Sequence, residues 1–382
     1  MVEDLIMRHV QRLARDIGPR PTGTAANIKA YEYLREVVGV TDARLSTHEV
    51  TRQLEVAEQW SCQAETPSGV KHVPILPGVS TRALRATRMP VMQRIYANID
   101  DFAEMPPEPG SVAVVSLGTI HESDACVAAY PAAAVVWFRE GHPGLYAGNC
   151  MRPGKAPIVP GFAIDETTAG EWTTHHVSVS AEIVAENRPI ALRNLIADMG
   201  DETPKPCFVA HYDSKPMAPG GNDNASGVAV LLALLQTWPA DRAARFIFFD
   251  GEEAGLLGSQ AYVDDLVAHD RLAEIDFVVC PDSVGLGELH LYTADRFGPF
   301  PDDLLARART TFNEHGWPIP ERAARSGSSD FRPFHELGVP CLFLSDFPNH
   351  VRHTTIDTAD VVDTGVLTRL AAVLAAETLT NR

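Results

Sequence analysis

The chain has 382 residues, 45% of them hydrophobic and 21% charged, so it can bury a full core and has room for two domains. Its formal net charge of −18 argues against nucleic acid or an anionic membrane as a partner, because either asks for a basic surface. No apolar run approaches the roughly 20 residues that cross a bilayer, and the longest, from Gly227 to Leu235, reads as a buried helix.

Residues 1–17 carry Val2, Ile6, Val10 and Leu13 among Glu3, Asp4, Arg8, Arg12 and Arg15, the pattern of an amphipathic helix. They lack the unbroken apolar stretch and small-residue cleavage site of a secretory signal, so cytoplasmic residence is the expectation. A Gly/Pro turn from Gly18 to Gly23 leads into a second helix over residues 25–38, where Ala26, Ala30, Tyr33, Leu34 and Val37 keep helical spacing. Residues 43–56 turn β-like. From there to about residue 185 the chain is rich in Pro and Gly and holds short candidate strands at 111–117, 132–138 and 177–184, with one helix near 123–130. This stretch, 56–185, reads as a smaller β-rich domain inserted into a catalytic domain made of 1–55 and 186–382.

From Leu192 onward strands and helices alternate: strands at 192–198, 207–211, 245–249 and 277–280, helices at 228–236 and 259–268. That rhythm predicts an α/β fold with a sheet wrapped by helices. The six cysteines are scattered, none in a CxxC pair, and read as buried free thiols.

The residues that carry chemistry sit where apolar runs stop, at the C-terminal ends of expected strands. Cys207-Phe-Val-Ala-His211 ends in a histidine with Asp213 two positions on. A metal-bound imidazole needs a partner for its second nitrogen, and Asp213 is placed to orient it. By itself the pair more often marks a hydrogen-bonded structural histidine. Asp223, in Pro219-Gly-Gly-Asn-Asp-Asn-Ala-Ser-Gly227, could cap the following helix, but Asn224 and Ser226 serve that role equally well and leave its carboxylate free to bridge two cations.

Arg245-Phe-Ile-Phe-Phe-Asp250-Gly-Glu252-Glu253 delivers two adjacent carboxylates that point in different directions. One can bind a metal while the other faces the water it activates. Asp282, after Phe277-Val-Val-Cys-Pro281, and His353, in His350-Val-Arg-His353-Thr-Thr-Ile-Asp357, complete the set. Each has a bland reading as a turn or loop residue. The conjunction decides.

With those residues in view, the chain resembles the co-catalytic di-zinc aminopeptidase family, through His211-Tyr-Asp-Ser214, Asn222-Asp-Asn-Ala-Ser-Gly227, Gly251-Glu-Glu-Ala-Gly-Leu-Leu-Gly-Ser259, the aspartate of Pro281-Asp-Ser-Val-Gly285 and the histidine of His353-Thr-Thr-Ile-Asp-Thr358. Ile17-Gly-Pro-Arg-Pro-Thr-Gly23, Ser329-Asp330 and Phe334 to Pro340 extend the match. The resemblance implies a mixed sheet sandwiched between helices, the zinc-peptidase α/β/α fold. It implies two zinc ions, one on His211 and Asp282 and one on Glu253 and His353, with Asp223 bridging them and Glu252 as general base. Cobalt or manganese would suit the same mixed His/carboxylate donors. The inserted segment resembles a protease-associated domain through Pro109 to Val115, Ala132 to Phe138 and Ala156 to Pro160, and is expected either to restrict access or to form a homo-oligomer contact.

One position departs from the family pattern: Arg352 stands where a tyrosine commonly precedes the last histidine. Its guanidinium could stabilise an oxyanion, bind a substrate carboxylate or point to solvent. The expected substrate is a peptide or small amide, cleaved from its N-terminus. The rival readings are a glutaminyl-cyclase-like acyltransferase, a carboxypeptidase or small-molecule amide hydrolase with its pocket in residues 297–352, and a non-catalytic binding protein, which the intact ligand set opposes.

Overall fold

The computed structural model describes residues 2–142, 144–150, 158–295, 297–323 and 328–380, and the chain divides into two compact units. One comprises residues 1–51, 191–352 and 356–382; the other comprises residues 52–190 together with 353–355. Ala156 and Pro157 of the protease-associated resemblance, and 324–327 of the expected pocket stretch, lie outside the described residues.

The first unit is a mixed sheet flanked by helices. Its central strands Cys341–Asp346, Ile275–Pro281, Lys205–His211 and Ala244–Phe249 run parallel in that spatial order. Antiparallel strands close both sides, Leu289–Asp295 against Cys341–Asp346 and residues 195–199 against 244–248. The parallel strands are buried on both faces, which is why they read as unbroken apolar runs. Alternation sends Phe208 and Phe246 to one face, where they meet Trp238 at 5.4 and 5.5 Å between ring centroids, and Phe249 to the other, where it meets Tyr262 and Phe334. The apolar run noted in the sequence is the helix Gly227–Thr237. It is sheathed on its outer side by the helices Val2–Val10 and Thr364–Leu374 and therefore has no polar face.

Two elements differ from expectation. The first helix is α-helical over Val2–Val10 and then widens to a π-helix over Gln11–Ile17. The N–H of Gly18 reaches back five residues to the Leu13 carbonyl, and Gly18 itself takes a φ of +76°, which a side chain disfavours. The expected separate strands at 177–184 and 192–198 are one continuous strand, Ser178–Met199. Residues 184–189 are exposed or half-buried and include Glu186, Asn187, Arg188 and Pro189, so they carry no apolar alternation to betray an extended chain.

The second unit is built on parallel strands Leu84–Tyr96, Val112–Ser116, Ala134–Phe138 and Gly161–Ala163, flanked by the helices Glu122–Ala128 and Glu166–Thr174. Two apolar clusters form it, one around Trp172, Phe162 and Val114, the other around Trp137, Tyr96 and Val115. Among the described residues, no helix of the chain is long and apolar enough to cross a membrane.

Candidate metal centre

Parallel register brings the chemistry to one edge of the first unit's sheet. His211 ends its strand level with Phe249, whose strand hands on to Asp250-Gly-Glu252-Glu253. Asp282 follows the next strand, Ile275–Pro281, and Asp223 lies in the turn Gly221–Ser226 that opens the helix Gly227–Thr237. His211 Nε2 is 3.2 Å from Asp223 Oδ1 and 3.7 Å from Asp282 Oδ1. Two groups of donor atoms result, each with its atoms within 4.8 Å of one another: His211, Asp223 and Asp282; and Asp223, Glu253 and His353. Asp223 belongs to both, and every member is buried.

The fit to divalent metal can be judged from the imidazole. His211 Nε2 is buried and has no hydrogen-bond partner, yet it faces carboxylate oxygens. Burial alone would lower the His211 pKa, but Glu252, Asp213, Asp223 and Asp282 outweigh it and hold a cation there strongly. A site that asks this insistently for positive charge, built from imidazole nitrogens and carboxylate oxygens, suits zinc or a similar divalent ion. Glu252, half-buried beside Glu253, has its carboxyl pushed well above the ordinary range, first by burial and then by Glu253, Asp282 and Asp330, against the pull of His211.

The supporting shell is more specific than the sequence indicated. Asp213, fully buried, works through two different atoms. Its backbone carbonyl lies 3.2 Å from His211 Nδ1, closer than its carboxylate at 3.5 Å. The carboxylate also accepts the backbone N–H groups of Glu252 at 3.2 Å and Glu253 at 3.1 Å, and the Thr22 hydroxyl at 3.0 Å. It thereby fixes the turn that separates ligand from base. Asp357 does the same for Asp223, accepting the N–H groups of Asn222 and Asp223. The Asn224 side chain accepts from the N–H groups of Gly227 and Ser283 and donates to the Pro281 carbonyl, which ties the Asp223 turn to the strand that presents Asp282. Gly227 permits this approach, since a Cβ there would collide with the Pro281 carbonyl.

Three residues that the motif reading left without a role are structural anchors of this edge. Arg20 is completely buried, and its guanidinium donates to the carbonyls of Tyr212, Pro219 and Gly220. Lys215, also buried, donates to the Glu253 carbonyl at 2.6 Å and lies 3.2 Å from Glu253 Oε2. Asp357 is the third. The signals were present: a basic residue inside Gly18-Pro-Arg-Pro-Thr, a lysine directly after the His211-Tyr-Asp-Ser run, and an aspartate four residues past His353. Arg352 lies with its Nε 3.5 Å from Asp223 Oδ2 and remains 43% exposed. His353 takes a φ of +63°, rare for a residue with a side chain, and its carbonyl accepts the N–H of Ala147 at 3.0 Å while its ring lies 5.2 Å from that of Tyr146.

Residues 194–378 match the model of Peptidase family M28. The aminopeptidase YwaD of Bacillus subtilis is 39% identical over 139 residues, 34% of this chain and 29% of that protein. The chain spans less than a third of the length of the curated relatives it first matches, at 29% and 23%. Among solved structures, BSAP, a zinc aminopeptidase from Bacillus subtilis, superposes with a TM-score of 0.79 at 23% identity, covering 100% of this chain and 95% of that one. A Porphyromonas gingivalis glutaminyl cyclase gives a TM-score of 0.54 at 16% identity, covering 99% and 97%. These likenesses show a shared fold.

Proposed function

Starting from the match of residues 194–378 to the model of Peptidase family M28, we propose that this chain belongs to that family and is a two-metal hydrolase that removes N-terminal residues from peptides. The observation that carries this reading is the pair of donor groups meeting at Asp223, with Glu252 beside them. His211 and Asp282 would hold one zinc ion, Glu253 and His353 the other, and Asp223 would bridge. When bound, such a pair lowers the pKa of a water molecule and polarises the scissile carbonyl.

The chain's own residues do the rest. Asp213 locks the turn at Glu252 and Glu253 by accepting both N–H groups, so the two carboxylates keep separate directions. Glu252 takes the proton of the attacking water and passes it to the departing amine. Lys215 balances part of the negative charge at Glu253. Arg352 supplies a partly exposed cation at the rim, placed to meet an oxyanion or a substrate carboxylate. We read the second unit as a protease-associated type of module, on its resemblance in sequence.

The test is metal analysis of the purified chain together with a panel of aminoacyl anilides, N-blocked peptides and N-terminal glutaminyl peptides. The reading expects activity on free amines only. Preference for blocked substrates would overturn the aminopeptidase assignment, and cyclisation of glutaminyl peptides would overturn hydrolysis.

A further inference from the structure

We propose that Cys126 and Cys150, in the second unit, form a disulfide under oxidising conditions and so constitute a built-in crosslinking site. Both side chains are buried, at 0% and 1% exposure, and both converge on Gly161. A Cβ on Gly161 would lie 2.9 Å from Cys126 Sγ and 3.1 Å from Cys150 Sγ, so the sulfurs are at most about 6 Å apart. The Cys150 thiol donates to the Gly161 carbonyl at 3.6 Å, which holds its sulfur at the point of convergence. Their backbones are held from the same side: the Cys126 carbonyl accepts the N–H of Val159 at 3.1 Å, and the Cys150 N–H donates to Val79 at 3.0 Å. Gly78 and Gly161 leave the space that the sulfurs use beside the Trp137 ring, since a Cβ at Gly78 would meet Cys150 Sγ and Trp137, and one at Gly161 both sulfurs and Trp137.

Cys207 and Cys341 fail the same geometric test. Both pair in register with Val278, from opposite sides of its strand. Two strand spacings put their backbones about 9–10 Å apart, beyond the reach of a disulfide. Cys280 has its sulfur 3.3 Å from the Ser329 hydroxyl, and Cys62 packs with Ala64, Ile75 and other apolar residues of the second unit. One pair is therefore selected out of six cysteines.

The chemistry balances with a small disulfide oxidant such as glutathione disulfide. One cysteine thiolate attacks the oxidant, releasing one glutathione thiolate and forming a mixed disulfide. The other attacks the cysteine sulfur of that mixed disulfide, releasing the second glutathione. Two electrons and two protons leave the protein. The neighbouring Cys150 thiol and burial both push the Cys126 thiol well above its usual range, so the folded pair is slow to react and the bond forms while the unit folds. Once made, it would tie the helix Glu122–Ala128 to residues 146–150, the segment whose Ala147 N–H holds the His353 carbonyl.

The experiment unfolds the full reduced chain, refolds it in a glutathione redox buffer, and counts thiols in denaturant against the fully reduced chain. The expected result is four free thiols where the reduced chain has six. A non-reduced digest should contain one linked peptide pair, Cys126 to Cys150, lighter by two hydrogens than its reduced parts. Six remaining thiols, or a linked pair containing any other cysteine, would overturn the proposal. Cys126→Ser should abolish the linked pair and leave five thiols; continued loss of two thiols in that variant would also refute it. Should the variant not fold, the wild-type digest decides alone.

Discussion

The guanidinium of Arg20 donates to the carbonyl of Gly220 at 3.0 Å, across 200 positions of sequence, from a side chain with no exposed surface. It also serves Tyr212 and Pro219, so one cation satisfies the carbonyls of the loop between His211 and Asp223. Replacing it with methionine would keep the volume and orphan those acceptors, each a loss of about 1–3 kcal/mol. Arg20→Met should therefore destabilise the first unit by about 3 kcal/mol or more, read from denaturant midpoints. Arg20→Lys should recover little of this, because an ammonium lacks the planar fork. A loss under 1 kcal/mol would show that water replaces the guanidinium without penalty.

Asp213 contacts both the ring that would bind metal and the turn that would supply the base. Removing such a supporting carboxylate typically weakens metal affinity by about 10- to 100-fold. Asp213→Ala should show that loss in a competition titration with a chelating dye. Unchanged affinity would restrict Asp213 to a role in folding.

Much of this site was legible because apolar strands end abruptly at it. His211, Glu252, Glu253 and Asp282 each follow a run of buried apolar residues, and it is their conjunction at strand ends that marks the site. Arg20 and Asp357 were not assigned roles, because their partners lie about 135–200 positions away and no local periodicity reports such a contact. The second task of the Asp213 carboxylate, accepting the N–H groups of Glu252 and Glu253, was hidden for a different reason. Spacing places it near His211, but only the backbone path shows that a carbonyl faces the ring. The long strand Ser178–Met199 was hidden by its polar middle, where neither face is buried deeply enough to impose alternation.

Glu252→Gln preserves shape and removes the ability to accept a proton. It should retain metal and lose roughly 10²- to 10⁴-fold in kcat, with KM little changed. A near-normal rate would reassign the base.

Arg352 is 43% exposed, with its Nε 3.5 Å from Asp223 Oδ2. Arg352→Ala should lower kcat/KM by about tenfold or more while leaving the denaturation midpoint within about 0.5 kcal/mol of the parent. If the charge meets a substrate carboxylate, the loss falls on KM; if it meets an oxyanion, it falls on kcat. An unchanged kcat/KM would remove Arg352 from the site.

His9 gives a pH signature away from the metal residues. Burial, aided by Arg8 and opposed by the nearby Gln236 side chain, pushes its pKa down from 6.5 to about 4. The folded state thus prefers the neutral ring, whose Nδ1 lies 2.6 Å from the Tyr33 hydroxyl. Stability from this preference is complete above pH 6.5 and falls as pH drops toward 4, where the folded ring also protonates. The limiting loss is about 3 kcal/mol. His9→Gln should flatten the stability profile between pH 7 and 4 relative to the parent; parallel profiles would show that His9 is protonated as readily folded as unfolded.

The most direct test of the account is calorimetric titration of the chelator-treated protein with zinc. Two equivalents per chain are predicted, falling to one or none in Asp223→Ala, because that carboxylate belongs to both donor groups. A parent chain that binds a single equivalent, or none, would contradict the two-metal centre.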